Sequence, residues 1–522
     1  MGEAGPVGGL RMREGQGEFF RGEPPSFAQP DARSDRIGVI DVGSNSVRMV
    51  VFDGPCRTPA VLYNEKVLCG LGSELDRTGR LAPEGARRAL RALSRFTALA
   101  PQLRVGALAG IATAAVREAA DGPDFVEEVA RRSGIRLRVV SGSEEAELAA
   151  RGVLFGNPGA EGVVADLGGA SLEFCWLAGG HAERGLTTPL GPLRLKARAR
   201  RGAAIGAEID RYLATVADSY RVSGGTLYLV GGAFRALARA QMHRTHYPLK
   251  VLHEYRLSAD TALGLAEWVQ HQRTDRLAAI TGIGSGRAQH MAVSGRLLGA
   301  LVRSLDPAWV QVSGFGLREG VCLENLAAGL RDEDALLAGA REQERRRARI
   351  PGFGEELGTW LADLLEPADA REDRLIRAAA LLADVNWRTH PDYRAVACWE
   401  TVTRINLTDL GHAGRAFLGL ALVSRYKSLR KAAERTEAVA LLSPAEQARA
   451  TQLGLAMRLG GVLAGSGTGV LAYCPARRQD GRLVLTLSGP ALPFSGEEVE
   501  KRVAALARAM DLDWQLTDTS DS

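Results

Sequence analysis

The chain reads as a duplicated α/β architecture followed by a mainly α-helical region, and three observations predict it. Asp41 closes an apolar strand beginning at Ile37 and is followed by a small polar bend, Gly43-Ser44-Asn45-Ser46, and a second apolar strand. Asp166 takes the same place in the stretch Val163 to Trp176, ahead of the bend Gly168-Gly169-Ala170-Ser171. Between and after these hairpins, apolar strand-like runs alternate with helix-period stretches, as in doubly wound sheets, until near Cys322 long Ala/Leu/Arg helices replace the alternation.

Taken in order, Met1 to Asp35 is rich in Gly, Pro, Arg and Glu and has no periodicity, so a disordered tail is expected over 1–35. Its Gly5-Pro6-Val7-Gly8-Gly9 imitates a phosphate loop but follows no strand. After the first hairpin, Ala60 to Leu71 reads as a third strand, Pro83 to Ala100 as a helix with Pro in its first turn, and Arg104 to Gly110 as a strand. Asp121 to Ser133 follows as a helix, Arg136 to Val140 as a strand, and Ser141 to about Leu154 as a helix that Ser143 is placed to cap. The second half opens near Gly159 with the Asp166 hairpin and a third strand, Glu183 to Leu190. Helices are expected over Ile205 to Tyr220, Leu257 to Gln272 and Ala288 to Ser304, and strands at Tyr228 to Val230 and Trp309 to Val312. Beyond Cys322 the charged run Arg341 to Arg349 reads as a solvated helix face, Leu483 to Leu487 as a late strand, and Ser495 as the N-cap of a last helix ending near Met510. The expected domains are therefore a tail at 1–35, α/β halves at 36–158 and 159–325, and a helical domain at 326–522.

At 522 residues the chain exceeds one core, and its net charge of +5 comes from Arg scattered along amphipathic helices, which suits a polyanionic ligand without indicating nucleic acid. Six widely spaced cysteines have no metal-ligand spacing and read as reduced core residues. No apolar run has the length of a membrane span and the N-terminus lacks a signal-peptide core, so no membrane partner and a cytoplasmic location are expected.

Bends built from small residues let backbone amides converge on phosphate oxygens, and an Asp beside such a bend suits Mg2+, a hard cation that shares phosphate in its shell. Two such bends, Gly43 to Ser46 and Gly168 to Ser171, each beside an Asp, point to one cleft gripping phosphate from both sides. Arg117, just past a strand end, is placed for a forked phosphate contact, although a lone Arg at a helix start is also commonly solvated. The acidic run Glu144, Glu145 and Glu147 exceeds what a helix cap needs, and one of its carboxylates is a candidate general base. Gly231-Gly232 opens a helix after a strand, a third place for phosphate or a nucleotide, though the same pair serves tight packing. Asp384, His390, Asp392 and His412 contain no directly adjacent His-Asp pair, and no metal is expected there.

The segments Asp41 to Ser46, Ala114 to Ala119, Ser141 to Ala146, Asp166 to Glu173, Val230 to Gly232 and Ser313 to Gly320 resemble, in order and spacing, the exopolyphosphatase/guanosine pentaphosphate phosphatase family of the actin-like and sugar-kinase-like superfamily. The resemblance runs from about Arg36 to Glu324; a weaker one, carried by Trp387 to Tyr393 and Gly414 to Phe417, extends to the helical C-terminal part of some members. It implies two actin-like (ribonuclease-H-like) domains with an interdomain cleft, followed by a mainly α-helical C-terminal domain. It further implies hydrolysis of the terminal phosphoryl group of inorganic polyphosphate or guanosine pentaphosphate, with Glu145 as general base. By the same resemblance Asp41, Asp166 and Glu173 fall on metal positions for Mg2+ or another hard divalent cation, and both bends fall on phosphate positions. Where the family usually has a third glycine this chain has Ala170. The expected partners are polyphosphate and guanosine tetra- or pentaphosphate, with a homodimer allowed. Rival readings are an actin-like or sugar-kinase-like ATP-binding protein and a catalytically silent alarmone sensor.

Overall fold

The computed structural model describes residues 36–54, 56–200, 204–427 and 437–519; the tail expected over 1–35 lies outside them. The chain separates into two compact units, the larger reaching Thr245 and resuming over Leu252–Asp332, the smaller formed by His246–Val251 and the chain from Glu333.

Two sheets of one plan build the larger unit. Strands β1 (Arg36–Val42), β2 (Ser46–Phe52), β3 (Val61–Leu68), β4 (Val105–Ala112) and β5 (Leu137–Val139) take the order β3-β2-β1-β4-β5. The second sheet contains β6 (Gly162–Leu167), β7 (Leu172–Ala178), β8 (His181–Thr188), β9 (Thr226–Val230), β10 (Tyr255–Ser258) and β11 (Trp309–Val312). Its order, β10-β11-β9-β6-β7-β8, repeats the first sheet and adds β10 at the edge. In both, a meander of three antiparallel strands meets parallel strands beside its first member. The buried strand that bears each Asp is thus central, with its C-terminal end at the bend that leads into the next strand of the same sheet.

Between the sheets lies a core shared by both halves. It gathers Val39, Val50 and Ile111 from the first sheet, Val164 and Val230 from the second, and Leu148, Phe155 and Val321 from two helices, Gly142–Gly156 and Leu317–Glu324. These helices cross at glycines: a Cβ on Gly320 would stand 1.8 Å from the Leu148 carbonyl oxygen, and one on Gly152 would stand 2.0 Å from that of Gly316. Only a missing side chain permits that approach.

The smaller unit has its own core, in which helices such as Phe353–Leu365, His412–Tyr426 and Pro444–Ala464 bury Leu361, Leu420 and Met457. A three-stranded sheet of β12 (Ala476–Gln479), β13 (Arg482–Ser488) and β14 (Asp513–Thr519) completes it. Among the described residues no helix is long and apolar enough to cross a membrane, and the six cysteines carry no disulfide.

Several local expectations are corrected. Ser141, not Ser143, caps the helix Gly142–Gly156: its Oγ accepts from Glu144 N at 3.1 Å while Glu144 reaches back to Ser141 N at 3.3 Å. Extended backbone at Ser141 allows this, and Ser143, already inside the first turn, bonds Glu147 instead. The last helix starts after Gly496; Ser495 closes the preceding 3-10 turn by donating to the Leu492 carbonyl. The residues expected as one helix from Leu257 begin as β10, which pairs with β11, and Ser258 then caps Ala259–Gln270. Similarly, the helix expected from Ala288 spans Met291–Leu305, after a short turn at Ser285–Ala288.

Candidate active site between the paired bends

The two bends are the same turn made twice. Gly43 N donates to the Ser46 carbonyl at 3.0 Å, and Gly168 N donates to the Ser171 carbonyl at 3.1 Å. Each is braced by the segment that follows the third strand of its own sheet. Cys69 N and Gly70 N bond the Asn45 carbonyl and Gly72 N bonds that of Ser44; Gly191 N bonds the Ala170 carbonyl and Leu193 N that of Gly169. The bends face one another, since a Cβ on Gly169 would lie 3.8 Å from Ser44 Cβ. A pocket of about 290 Å³ opens beside them, lined by Ser44 and Asn45 from one half and Ala170, Arg194 and Lys196 from the other. Ala170 is not among the residues with positive φ, so its methyl group imposes no backbone strain.

Four carboxylates converge at this junction. Strand register places Asp41 opposite Arg48 and Asp166 opposite Glu173, so the equivalent position carries a cation in one half and an anion in the other. Glu173 is buried, with Thr187 Oγ1 donating to it at 3.0 Å, and burial together with Glu145 and Asp166 holds its pKa well above the ordinary carboxylate value. Burial also lifts Asp166 to about 6, against the pull of Arg235 and with a push from Asp41.

Glu145 differs from its two acidic neighbours. Glu144 is spent on the capping box and an ion pair with Arg138, and Glu147 faces Ser143 and Arg151. Glu145 alone of the three is buried, and its Oε2 accepts from Arg117 Nη1 at 2.9 Å. Burial raises its pKa to about 7; Arg117 opposes the rise, and Asp166 and Asp41 add to it. Arg117 also donates to the Val140 carbonyl at 3.0 Å, so here it orients Glu145 rather than standing free for a phosphate.

Three guanidinium groups outside the expected site set complete the cluster. Arg318 Nη1 donates to Asp41 Oδ2 at 2.8 Å across 277 residues of sequence, and its buried Nε has no partner. Burial opposes the charge on Arg318, but Glu319, Asp41 and Asp166 outweigh it and raise the pKa. Arg235, donating to the Ser313 carbonyl at 3.4 Å, has its pKa lowered by burial and by Arg318. Arg48 is lowered to about 10 by burial and then by Arg318. Mutually repelling cations held in a largely buried cluster are what a polyanion relieves. The signal in the sequence was their position: each lies next to or inside a glycine-bearing motif, at Arg48, Gly231-Gly232-Ala233-Phe234-Arg235 and Gly316-Leu317-Arg318.

Gly231 has φ +104°, and a Cβ there would stand 2.4 Å from the Leu167 carbonyl oxygen and 3.1 Å from Asp166 Oδ1. Its bare backbone therefore lies against the Asp166 carboxylate, whereas a Cβ on Gly232 would meet nothing within 4 Å.

Asp41, Asp166 and Glu173 supply hard oxygen donors, and the electrostatic coupling among the carboxylates favours a cation. Among the described residues, however, no three of His, Cys, Asp and Glu are spaced as a cage for a metal ion. The three-carboxylate metal set expected from the resemblance, Asp41, Asp166 and Glu173, is therefore not gathered as a cage here. In the smaller unit, Asp384 pairs with Arg349 and His412 Nδ1 lies 2.9 Å from Tyr247 Oη.

Residues 50–328 match the Ppx/GppA phosphatase family and residues 336–513 match the exopolyphosphatase C-terminal family. Exopolyphosphatase 1 of Mycobacterium tuberculosis is 26% identical over 56% of this chain and 88% of its own length. Exopolyphosphatase 1 of Mycobacterium leprae is 28% identical over 56% of this chain and 89% of its own. A solved exopolyphosphatase from Cytophaga hutchinsonii aligns with a TM-score of 0.49 at 24% identity, over 55% of this chain and 96% of that one. With more than half of its length matched, the chain belongs to the Ppx/GppA phosphatase family, a family of phosphoanhydride hydrolases.

Proposed function

We propose that the larger unit hydrolyses the terminal phosphoanhydride of inorganic polyphosphate, with Glu145 as general base for the attacking water. The observation that carries this reading is Glu145 itself, buried, held by Arg117 at 2.9 Å, and raised to about 7 by burial with the fields of Asp166 and Asp41. A carboxylate with that proton affinity takes a proton from water more readily than an ordinary one and is still largely ionised at slightly alkaline pH. The bends hold the oxygens of the terminal phosphate, and Arg48, Arg235 and Arg318 stabilise the charge that builds on it and on its leaving neighbour. Mg2+ held by Asp41 or Asp166 would neutralise phosphate charge and fix its orientation.

Glu145→Gln keeps the shape and the contact with Arg117 but cannot accept the proton. It should lower phosphate release from long-chain polyphosphate about 10²- to 10⁴-fold while polyphosphate affinity changes little. An unchanged rate, measured with Mg2+ and a chelator control, removes Glu145 from the role of base. Guanosine pentaphosphate ends in the same kind of bond, and the same assay with that substrate measures the preference.

A further inference from the structure

At the edge of the pocket beside the bends, Arg194 links the two α/β halves. It sits on the helix Pro192–Arg200 of the second half, its side chain only 9% exposed. Both of its described acidic partners belong to the first half: Nε lies 3.0 Å from Asp76 Oδ1, and Nη2 bonds Glu118 Oε2. Glu118 is shared, because its other oxygen, Oε1, lies 4.0 Å from Arg117 Nη2. Arg117 in turn holds Glu145 at 2.9 Å. The order along this chain of charges is therefore Asp76, Arg194, Glu118, Arg117, Glu145, crossing from one half to the other and back.

We infer that Arg194 is a positioning residue of the active site: by engaging Glu118 it keeps that carboxylate from capturing Arg117, and so leaves Arg117 to orient Glu145. A guanidinium offers five donors, but in a cluster this tight the nearer carboxylate fixes its direction. Glu118 adjoins Arg117 in sequence and is the more exposed of the two acids, 36% against 11% for Glu145, so it needs only a side-chain rotation to close the 4.0 Å gap. Engagement by Arg194 removes the incentive. A second consequence follows from the same geometry. Arg194 reaches Glu118 only while the halves are as close as they are here, so the orientation of Glu145 is tied to the spacing of the two halves.

The inference rests on the reading of Glu145 as the base, and the test separates the two. Arg194→Ala should lower kcat for phosphate release about 10- to 100-fold with KM changed less than about threefold, because the loss lies in orienting the base. Glu118→Gln alone should leave kcat within about twofold. The deciding variant is Arg194→Ala with Glu118→Gln: with no competing carboxylate, Arg117 returns to Glu145 and most of the lost kcat is regained. A mere tie between the halves would not be restored by deleting another of its members. Hydrogen exchange over residues 137–147 gives a second readout that needs no turnover. Exchange should rise in Arg194→Ala and return to the parent level in the double variant. If the double variant behaves as Arg194→Ala does in exchange, the inference is overturned, whatever substrate the enzyme proves to use. If exchange is restored while Glu145→Gln retains full activity, the positioning stands and the base assignment falls.

Discussion

Glu145 concentrates the chemistry of the site because two opposing influences meet on one carboxyl group. Burial and the nearby Asp166 and Asp41 favour the proton, Arg117 disfavours it, and the balance lies at about 7. The sign of the pH dependence follows. A base works ionised, so kcat should fall as pH drops through about 7, approaching tenfold per unit on the acid side. Replacing Arg117 with Met removes the one influence that holds the pKa down, so this acid limb should move to higher pH. A pH profile of kcat for the parent and Arg117→Met checks both statements; a limb that stays in place would mean that another group sets it. Part of this candidate site was legible from residues alone, since Asp41 and Asp166 stand in short motifs whose chemistry is local, whereas only the family resemblance separated Glu145 from Glu144 and Glu147. Arg318 was not legible, because its partnership with Asp41 spans 277 positions and no periodicity reports a contact of that range. Arg117 was read toward phosphate and instead faces Glu145, an assignment that needed the distance between two strand ends.

At the scale of elements, the cleft depends on two helices meeting without side chains between them. Gly142–Gly156 carries Glu145 and Leu317–Glu324 carries Arg318, and Gly320 against Leu148 sets how closely their axes approach. Gly320→Ala would put a methyl group 1.8 Å from the Leu148 carbonyl oxygen, so a helix must shift. Leu148 lies one turn beyond Glu145, and the shift is transmitted directly to the base. Overpacking of this kind costs about 1–3 kcal/mol or more, and misplacement by about 1 Å can cost about 100-fold in rate. The variant should therefore show a lower thermal midpoint and a kcat reduced beyond what partial unfolding at the assay temperature explains. Retention of parent kcat with a lowered midpoint would separate the packing from the chemistry. Both helices were visible as motifs before any coordinates, yet their crossing was not, because Gly152 and Gly320 look like weak helix positions until a partner backbone is placed against them. Strands were missed for a related reason. Tyr255–Ser258 is too short to establish alternation and runs straight into a helix, and Asp513–Thr519 is a polar edge that acquires meaning only by pairing with β13. By contrast, Trp309–Val312 and Ile205–Tyr220 stand where pattern alone put them, since strong periodicity between clear breakers leaves little choice.

At the scale of the whole molecule, the chain divides its stability between two separate cores, and the smaller one includes a buried ionic centre. Asp384 is only 6% exposed and faces Arg349 at 3.3 Å and Arg425 at 3.9 Å; Arg425 is itself 7% exposed and donates to the Met457 carbonyl at 2.8 Å. This centre joins the helices His412–Tyr426 and Pro444–Ala464 to the end of a third, Ala370–Leu382. Replacing a buried ion pair as a whole can be neutral, but removing one member leaves an uncompensated charge inside the protein at a cost of about 3–5 kcal/mol. Asp384→Ala does that to Arg425, whose remaining hydrogen bond to a carbonyl offers no opposite charge. The larger unit contains neither residue, and its shared core between the two sheets is built from its own strands and helices. The expected outcome is local. Hydrogen exchange should accelerate through residues 394–426 and 444–464, while segments containing Asp41, Glu145 and Asp166 keep their protection. The double variant Asp384→Ala with Arg425→Met, which removes charge on both sides, should recover much of the loss. Equal acceleration across both units in Asp384→Ala would show that they unfold as one, and failure of the double variant to recover would show that shape rather than charge governs this centre.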